Sequence, residues 1–185
     1  VSPGVLWIGY ADDQARGHYG RYREVIGVAV TEDSLLDLDQ QLCFKLYAGV
    51  RAVTKLYRPL LDELELTYPQ YLVMLVLWEA GRRGKQSATV KYVGERLYLD
   101  SGTLTPLLKR LESRGLLSRM RSRDDEREVH VSLTAVGRAL EARAEVVPRH
   151  LLCAASLPLS ELVALRESLD RLLQALPAEE KQRRS

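Results

Sequence analysis

Apolar positions recur at Leu42, Leu46, Val50, Val53, Tyr57, Leu60 and Leu64, in steps of 4, 4, 3, 4, 3 and 4. That spacing keeps one face of an α-helix apolar and predicts a long amphipathic helix. Asp37 and Asp39 precede it, where negative charge suits the positive end of a helix dipole. Thr67-Tyr68-Pro69 opens a second helix, with the proline in the first turn, where its missing N–H matters least. This helix is apolar nearly all round as far as Trp78, so it is expected to be buried. Residues 81–87 form a polar loop.

Shorter elements follow. Residues 89–97 predict a short helix with Val90, Val93 and Leu97 on one face, and 98–102 a turn. Residues 103–113 predict a helix with Leu104, Leu107, Leu108 and Leu111 inward. Two starts are open for it: a cap at Thr105 with Pro106 in the first position, or a start nearer Ser101. Gly115 ends it. Alternation then takes over. Leu117, Arg119 and Arg121 face one way, and Leu116, Ser118 and Met120 the other. Residues 123–127 are a polar tip, and Val129, Val131 and Leu133 alternate on the way back, which makes a hairpin. Thr134 caps a helix carrying Val136, Leu140, Val147 and Leu151, which Pro148 is expected to kink. Ser160 opens a last helix with Leu162, Leu165, Leu169, Leu172 and Leu176.

The expected fold class is therefore mainly α with a small β-wing: a winged helix-turn-helix flanked by longer helices. Residues 1–33, interrupted by glycines, are expected to be a mobile N-terminal extension, within which 26–30 could form a short strand or arm. The domain proper is expected over 34–178. Its winged helix-turn-helix lobe lies at about 88–134, with longer helices at about 38–66 and 135–176. A basic tail covers 179–185.

Composition narrows the function. The chain has 185 residues, 46% hydrophobic and 28% charged, which excludes a wholly disordered polypeptide. The longest apolar run, from Tyr71 to Trp78, is too short for a bilayer, so no membrane partner is expected. Two cysteines cannot build a disulfide framework, which fits a reducing cytoplasm, and no secretory start is visible. The three histidines, at 18, 130 and 150, are too dispersed for a metal site. No cofactor is expected, since there is no phosphate loop, and there is no nucleophile–base triad.

Charge is more informative locally than globally. From Thr105 to Arg123 stand Lys109, Arg110, Arg114, Arg119, Arg121 and Arg123 against the single acid Glu112, a local charge of +5, whereas the whole chain is +2. On a helix-turn-helix followed by a hairpin, that is the footprint of double-stranded DNA. A helix fits the major groove while the hairpin reaches the neighbouring backbone or minor groove. The candidate contacts are Ser101, Thr103, Thr105, Pro106, Lys109 and Arg110 around the recognition helix, and Arg121, Arg123, Asp125 and Arg127 on the wing. Arg127 suits a narrow minor groove, with Asp125 fixing its guanidinium.

Cys43 stands in the first turns of the long helix, and a helix N-terminus favours the anionic form of a thiol. Tyr47 is one turn on. Tyr57 is fourteen residues on, roughly 21 Å along the axis, so it reaches a Cys43 only from an oppositely directed second copy of the helix, as in a two-fold dimer. Tyr68 joins the same cluster, and phenolic hydroxyls donating to sulfur stabilise the thiolate. Cysteine as a small buried hydrophobe, and tyrosine as core, is the alternative for these residues and for Cys153.

Leu42-Cys43-Phe44, Tyr57-Arg-Pro-Leu-Leu-Asp62, Leu66-Thr-Tyr-Pro-Gln-Tyr-Leu72 and Gly94-Glu-Arg-Leu-Tyr-Leu-Asp-Ser-Gly-Thr-Leu-Thr-Pro-Leu-Leu-Lys-Arg-Leu-Glu112 occur in order, followed by Asp124-Asp-Glu-Arg127 and Val131-Ser-Leu-Thr134. Together they resemble the organic hydroperoxide resistance regulators, a two-cysteine type within the MarR family, over about residues 38–176. The resemblance implies a homodimeric repressor, not an enzyme, that leaves an inverted-repeat operator when organic hydroperoxide oxidises a cysteine. Cys43 matches the sensing cysteine. Phe44, Tyr47, Tyr57 and Tyr68 match its pocket, and Cys153 stands at the resolving position. The 80–88 loop is a few residues longer than the family's, and the N-terminal extension and basic tail are additions. Two alternatives stay open: a MarR-type repressor released by a phenolic ligand without thiol chemistry, and a thiol peroxidase.

Overall fold

The long helix forms where the three–four spacing begins: α1 spans Leu42–Glu63. A computed structural model describes residues 36–122, 125 and 127–176. The expectations for 1–33, the strand at 26–30, Arg123 and the 179–185 tail lie outside the described residues. The chain divides into two compact units, Val1–Arg51 and Ala52–Ser185. In the first, a 3-10 turn at Leu38–Gln40 leads into α1, and Asp39 bonds Lys45 Nζ at 2.6 Å. That ammonium holds the Asp39 carboxyl below its usual value.

In the second unit, α2 spans Tyr68–Arg82 with Thr67 as its N-cap and Pro69 in the first turn, as predicted. Gln70 reaches back so that its Oε1 accepts the Thr67 N–H at 2.9 Å. Val73, Met74, Leu77 and Trp78 are buried, which answers the apolar character of this helix all round. Next come β1 (Ala88–Thr89), α3 (Val90–Leu97), α4 (Ser101–Ser113), β2 (Leu117–Arg121) and β3 (Val129–Leu133). The sheet is antiparallel in the order β1-β3-β2, with Leu117 opposite Leu133 and Arg121 opposite Val129. The hairpin matches expectation; β1 does not, because two residues carry no readable alternation. The core gathers Leu61, Tyr71, Val93, Leu104, Leu108, Leu111, Leu117, Val131 and Leu140.

Of the two starts open for the recognition helix, the one at Ser101 is taken, and three other local expectations are corrected. Asp100 is the N-cap, its Oδ1 accepting the Thr103 N–H at 2.9 Å, and Pro106 lies inside the helix. Thr105 is half-buried and donates its hydroxyl to the Ser101 carbonyl at 2.6 Å. The helix opened by Thr134 is interrupted by Pro148 one turn upstream of that residue, and divides into α5 (Ala135–Ala144) and α6 (Val146–Ala154). The break at Glu145 precedes the proline because Pro148 cannot bond the carbonyl one turn back, that of Ala144. Val136 is 61% exposed, the inward face being Gly137, Leu140, Ala144 and Val147. Finally α7 spans Leu159–Ala175 with Pro158, not Ser160, at its cap.

Candidate nucleic-acid interface and thiol site

The recognition helix α4 buries Leu104, Leu108 and Leu111 and leaves Ser101, Thr103, Pro106, Lys109 and Arg110 exposed. The Thr103 hydroxyl donates to Asp100 Oδ2 at 2.8 Å, so the carboxylate receives both of that residue's donors. These bonds hold the Asp100 carboxyl below its ordinary value, the backbone N–H of Thr103 counting most.

Two of the six positive residues in the basic segment serve the fold. The Arg119 guanidinium donates to Glu112 Oε2 from Nε at 2.9 Å and from Nη2 at 2.5 Å, while its backbone N–H bonds Oε1 at 3.0 Å. This clasps β2 to α4 and lowers the Glu112 carboxyl, chiefly through the guanidinium hydrogen bond. Arg114 donates to the carbonyls of Glu65 and Leu64 and pairs with the Glu65 carboxylate at 3.2 Å. Glu65 lies at φ 54, in the connection from α1 to α2, so Arg114 ties down a left-handed turn. Of the others in that segment, Lys109, Arg110 and Arg121 are exposed, as is Arg127 beyond it, and these four form no ion pair among the described residues.

The expected grip of Asp125 on the Arg127 guanidinium is corrected. Asp125 Oδ1 accepts the backbone N–H of Arg127 at 2.9 Å, an Asx turn that fixes the chain at the tip. A carboxylate two residues before an N–H reaches it more readily than the far end of a long side chain.

Cys43 is the second residue of α1 and is exposed. Beside it in sequence, Phe44 is half-buried with Lys45 Nζ 5.5 Å from its ring centre. Tyr47 is exposed and its hydroxyl accepts from Arg51 Nη1 at 3.2 Å. In the second unit Tyr57 is buried and Tyr68 half-buried, their ring centres 6.2 Å apart. Tyr71 stands edge-on to Tyr57 at 6.4 Å. This third phenol was missed by the sequence reading, although Tyr68 and Tyr71 stand three apart and so share a helix face. Burial pushes the phenols of Tyr57 and Tyr68 up, Tyr68 adding to the effect on Tyr57. Burial, with Tyr57 and Tyr68 nearby, carries Tyr71 up to about 12. All three stay protonated at neutral pH and remain hydrogen-bond donors. Cys153, next to the last residue of α6, is also exposed.

A cleft of about 780 Å³ opens among the end of α2, residues 84–88, β3 and α5, and none of the predicted site residues lines it. No cluster among the described residues could hold a metal ion. No single helix among them is long and apolar enough to cross a membrane.

The geometry is that of a winged helix-turn-helix accompanied by an exposed thiol. Comparison with known proteins agrees. The family described as transcriptional regulator SarA/Rot matches residues 55–143. The organic hydroperoxide resistance transcriptional regulator of Bacillus subtilis is 49% identical over 141 residues, covering 76% of this chain and 92% of that protein. This chain belongs to the organic hydroperoxide resistance regulators of the MarR family. It is a transcriptional regulator and not an enzyme. The HTH-type transcriptional regulator TtmR of Methylorubrum extorquens is 44% identical over 159 residues, covering 86% of this chain and 79% of that protein. Among solved structures, reduced AbfR bound to DNA, from Staphylococcus epidermidis, superimposes with a TM-score of 0.62 at 34% identity, covering 78% of this chain and 97% of that one. AbfR is also solved overoxidised on DNA and as a disulfide-formed protein, the latter with a TM-score of 0.53 at 29% identity, covering 88% and 97%.

Proposed function

We propose that this regulator is a homodimeric repressor that holds an inverted-repeat operator while Cys43 is reduced and releases it when organic hydroperoxide oxidises that thiol. The observation that carries the reading is an exposed Cys43 at the start of α1 in a chain 49% identical to an organic hydroperoxide resistance regulator. The domain works in the cytoplasm through a DNA-binding lobe at about 88–134 and dimerisation helices at about 38–66 and 135–176. Exposed Leu42, Leu46 and Val50 on α1, and Leu165 and Leu173 on α7, support a second subunit as cover.

The Cys43 thiolate attacks the outer peroxide oxygen. An S–O bond forms, the O–O bond breaks, and the alkoxide leaves as the alcohol after taking a proton, giving a sulfenic acid. Tyr57 and Tyr68 of the second subunit, both protonated, donate to the sulfur and its new oxygen. Phe44 and Tyr47 line the approach with apolar surface, which favours bulky organic hydroperoxides over hydrogen peroxide. The Cys153 thiol of the other subunit then displaces water from the sulfenic acid and forms a disulfide. A disulfide needs Cα atoms within about 7 Å, so its closure moves helices.

That movement spoils the spacing of about 34 Å at which two recognition helices meet successive turns of DNA. Ser101, Thr103, Thr105 and Pro106 belong to that contact, with Lys109, Arg110, Arg121, Arg123 and Arg127 on phosphates or groove edges and Asp125 shaping the tip. AbfR is solved on DNA both reduced and overoxidised. By analogy, disulfide closure and not oxygen addition alone is the releasing step here. The test is a gel shift on the DNA upstream of the protein's own gene, with and without cumene hydroperoxide. Wild type leaves the DNA on treatment while Cys43→Ser stays bound; release of Cys43→Ser to the same extent overturns the reading.

A further inference from the structure

Helix α2 is the element that joins the phenol cluster to the wing. Tyr68 and Tyr71 stand at one end of it. Two turns on from Tyr71, Trp78 lies against Tyr71 with ring centres 6.4 Å apart. Trp78 is buried, and its indole N–H donates to the Gly137 carbonyl at 2.8 Å, across 59 residues of sequence. Gly137 is in the first turn of α5, and its own N–H bonds the Thr134 hydroxyl oxygen at 3.0 Å.

Around Gly137 there is no slack. A methyl group there would stand 1.9 Å from the Leu116 carbonyl oxygen. The Thr134 hydroxyl donates to the Gly115 carbonyl at 2.6 Å, and the Thr134 N–H to the Leu116 carbonyl at 3.1 Å. Leu116 immediately precedes β2 and Thr134 immediately follows β3. The two roots of the wing hairpin are thus fastened to each other and, through Gly137, to Trp78. A close-packed contact of this kind passes on a shift instead of absorbing it.

We propose that Trp78 is the positioning residue through which the state of the thiol site reaches the wing. The proposal rests on the peroxide-release reading above. When oxidation displaces the phenols, α2 carries Trp78 with it, and the indole–carbonyl bond takes the roots of the hairpin along. The wing then loses its register on the DNA backbone. A purely structural Trp78 would affect reduced and oxidised protein alike, whereas a positioning Trp78 changes the ratio of their DNA affinities.

The experiment measures operator affinity of reduced and cumene-hydroperoxide-treated full-length protein, wild type and Trp78→Phe, together with the rate of Cys43 thiol loss. Phenylalanine keeps an aromatic ring but removes the N–H. The expected result is thiol loss at the wild-type rate, reduced-state affinity within about twofold, and an oxidised-to-reduced dissociation-constant ratio at least tenfold smaller than wild type. An unchanged ratio overturns the proposal.

If wild type itself keeps its DNA after full thiol loss, the release reading has failed, which is a separate outcome. Should Trp78→Phe not fold, Trp7→Phe leaves Trp78 as the sole tryptophan. Its emission is expected to shift on oxidation in step with DNA release, and not in Trp7→Phe/Cys43→Ser. Emission unchanged through complete release overturns the proposal.

Discussion

Gly137→Ala separates two opposing effects whose sizes follow from the structure. Alanine in a helix is favoured over glycine by up to about 1 kcal/mol. Against this, the new Cβ would stand 1.9 Å from Leu116 O, 2.9 Å from Leu116 C and 3.2 Å from Leu133 Cδ2. Comfortable carbon contacts begin near 3.5 Å, so the first overlap is far too deep for a side chain to relieve by rotating. The Leu116 carbonyl cannot retreat freely, because the Thr134 N–H and hydroxyl bond it at 3.1 and 3.2 Å. Overpacking costs about 1–3 kcal/mol, and each bond broken to relieve it about 0.5–1.5. The clash therefore wins, with a net loss of about 2–4 kcal/mol. At about 2–4 °C per kcal/mol for a chain of this size, Tm falls by roughly 5–15 °C. The control is Gly81→Ala in α2, where nothing lies within 4 Å of the added methyl. It is expected to gain up to about 1 kcal/mol. Thermal and urea unfolding of both variants are the assay. A Gly137→Ala protein as stable as wild type would refute the close packing at the hairpin roots.

Other variants probe the charge assignments. Lys109→Ala and Arg121→Ala should each lower the slope of log affinity against log salt by about 0.9 and leave Tm unchanged, as read by fluorescence anisotropy on operator DNA. Arg114→Ala should do the opposite: its bonds to Glu65 and Leu64 disappear, stability drops by about 1–3 kcal/mol, and the salt slope stays as it was. Glu112→Gln tests the clasp between α4 and β2 through pH. Arg119 holds the Glu112 carboxyl below its ordinary value in the folded protein. The clasp therefore contributes fully above the unfolded-state value and is lost as pH falls through the folded-state one. Wild type should lose stability between about pH 5 and pH 3 more steeply than Glu112→Gln, measured by urea midpoints across that range.

Much of the architecture was legible because it rests on periodicity. The three–four spacing gave α1, the strict alternation gave the hairpin, and Thr67 and Thr134 marked true helix starts. What escaped depends on competition between nearby signals or on contacts distant in sequence. Two starts stayed open for α4 because Thr105 before Pro106 competes with Asp100, whose charged acceptor for the Thr103 N–H decides for the earlier one. Pro148 is visible, yet its effect falls three residues upstream at Glu145, where the helix breaks. The net charge of the basic segment was read correctly. The assignment of Arg114 and Arg119 to Glu65 and Glu112 needed coordinates, because a charge count does not reveal pairing. Spacing and resemblance pointed to Cys43, Tyr57 and Tyr68 as candidates, and the Tyr57 and Tyr68 rings do meet. The third phenol, Tyr71, and the Trp78–Gly137 bond were not found, since 59 residues separate the partners of that bond.

The central claim is that operator release follows oxidation of Cys43 to a disulfide with Cys153. It is tested most directly by following both events in one sample: operator occupancy by anisotropy, and disulfide-linked dimer by non-reducing electrophoresis, during titration with cumene hydroperoxide. The account predicts that occupancy falls in proportion to the linked dimer, that both return on adding dithiothreitol, and that Cys43→Ser and Cys153→Ser form no link. Release that is complete while both thiols remain titratable would contradict it.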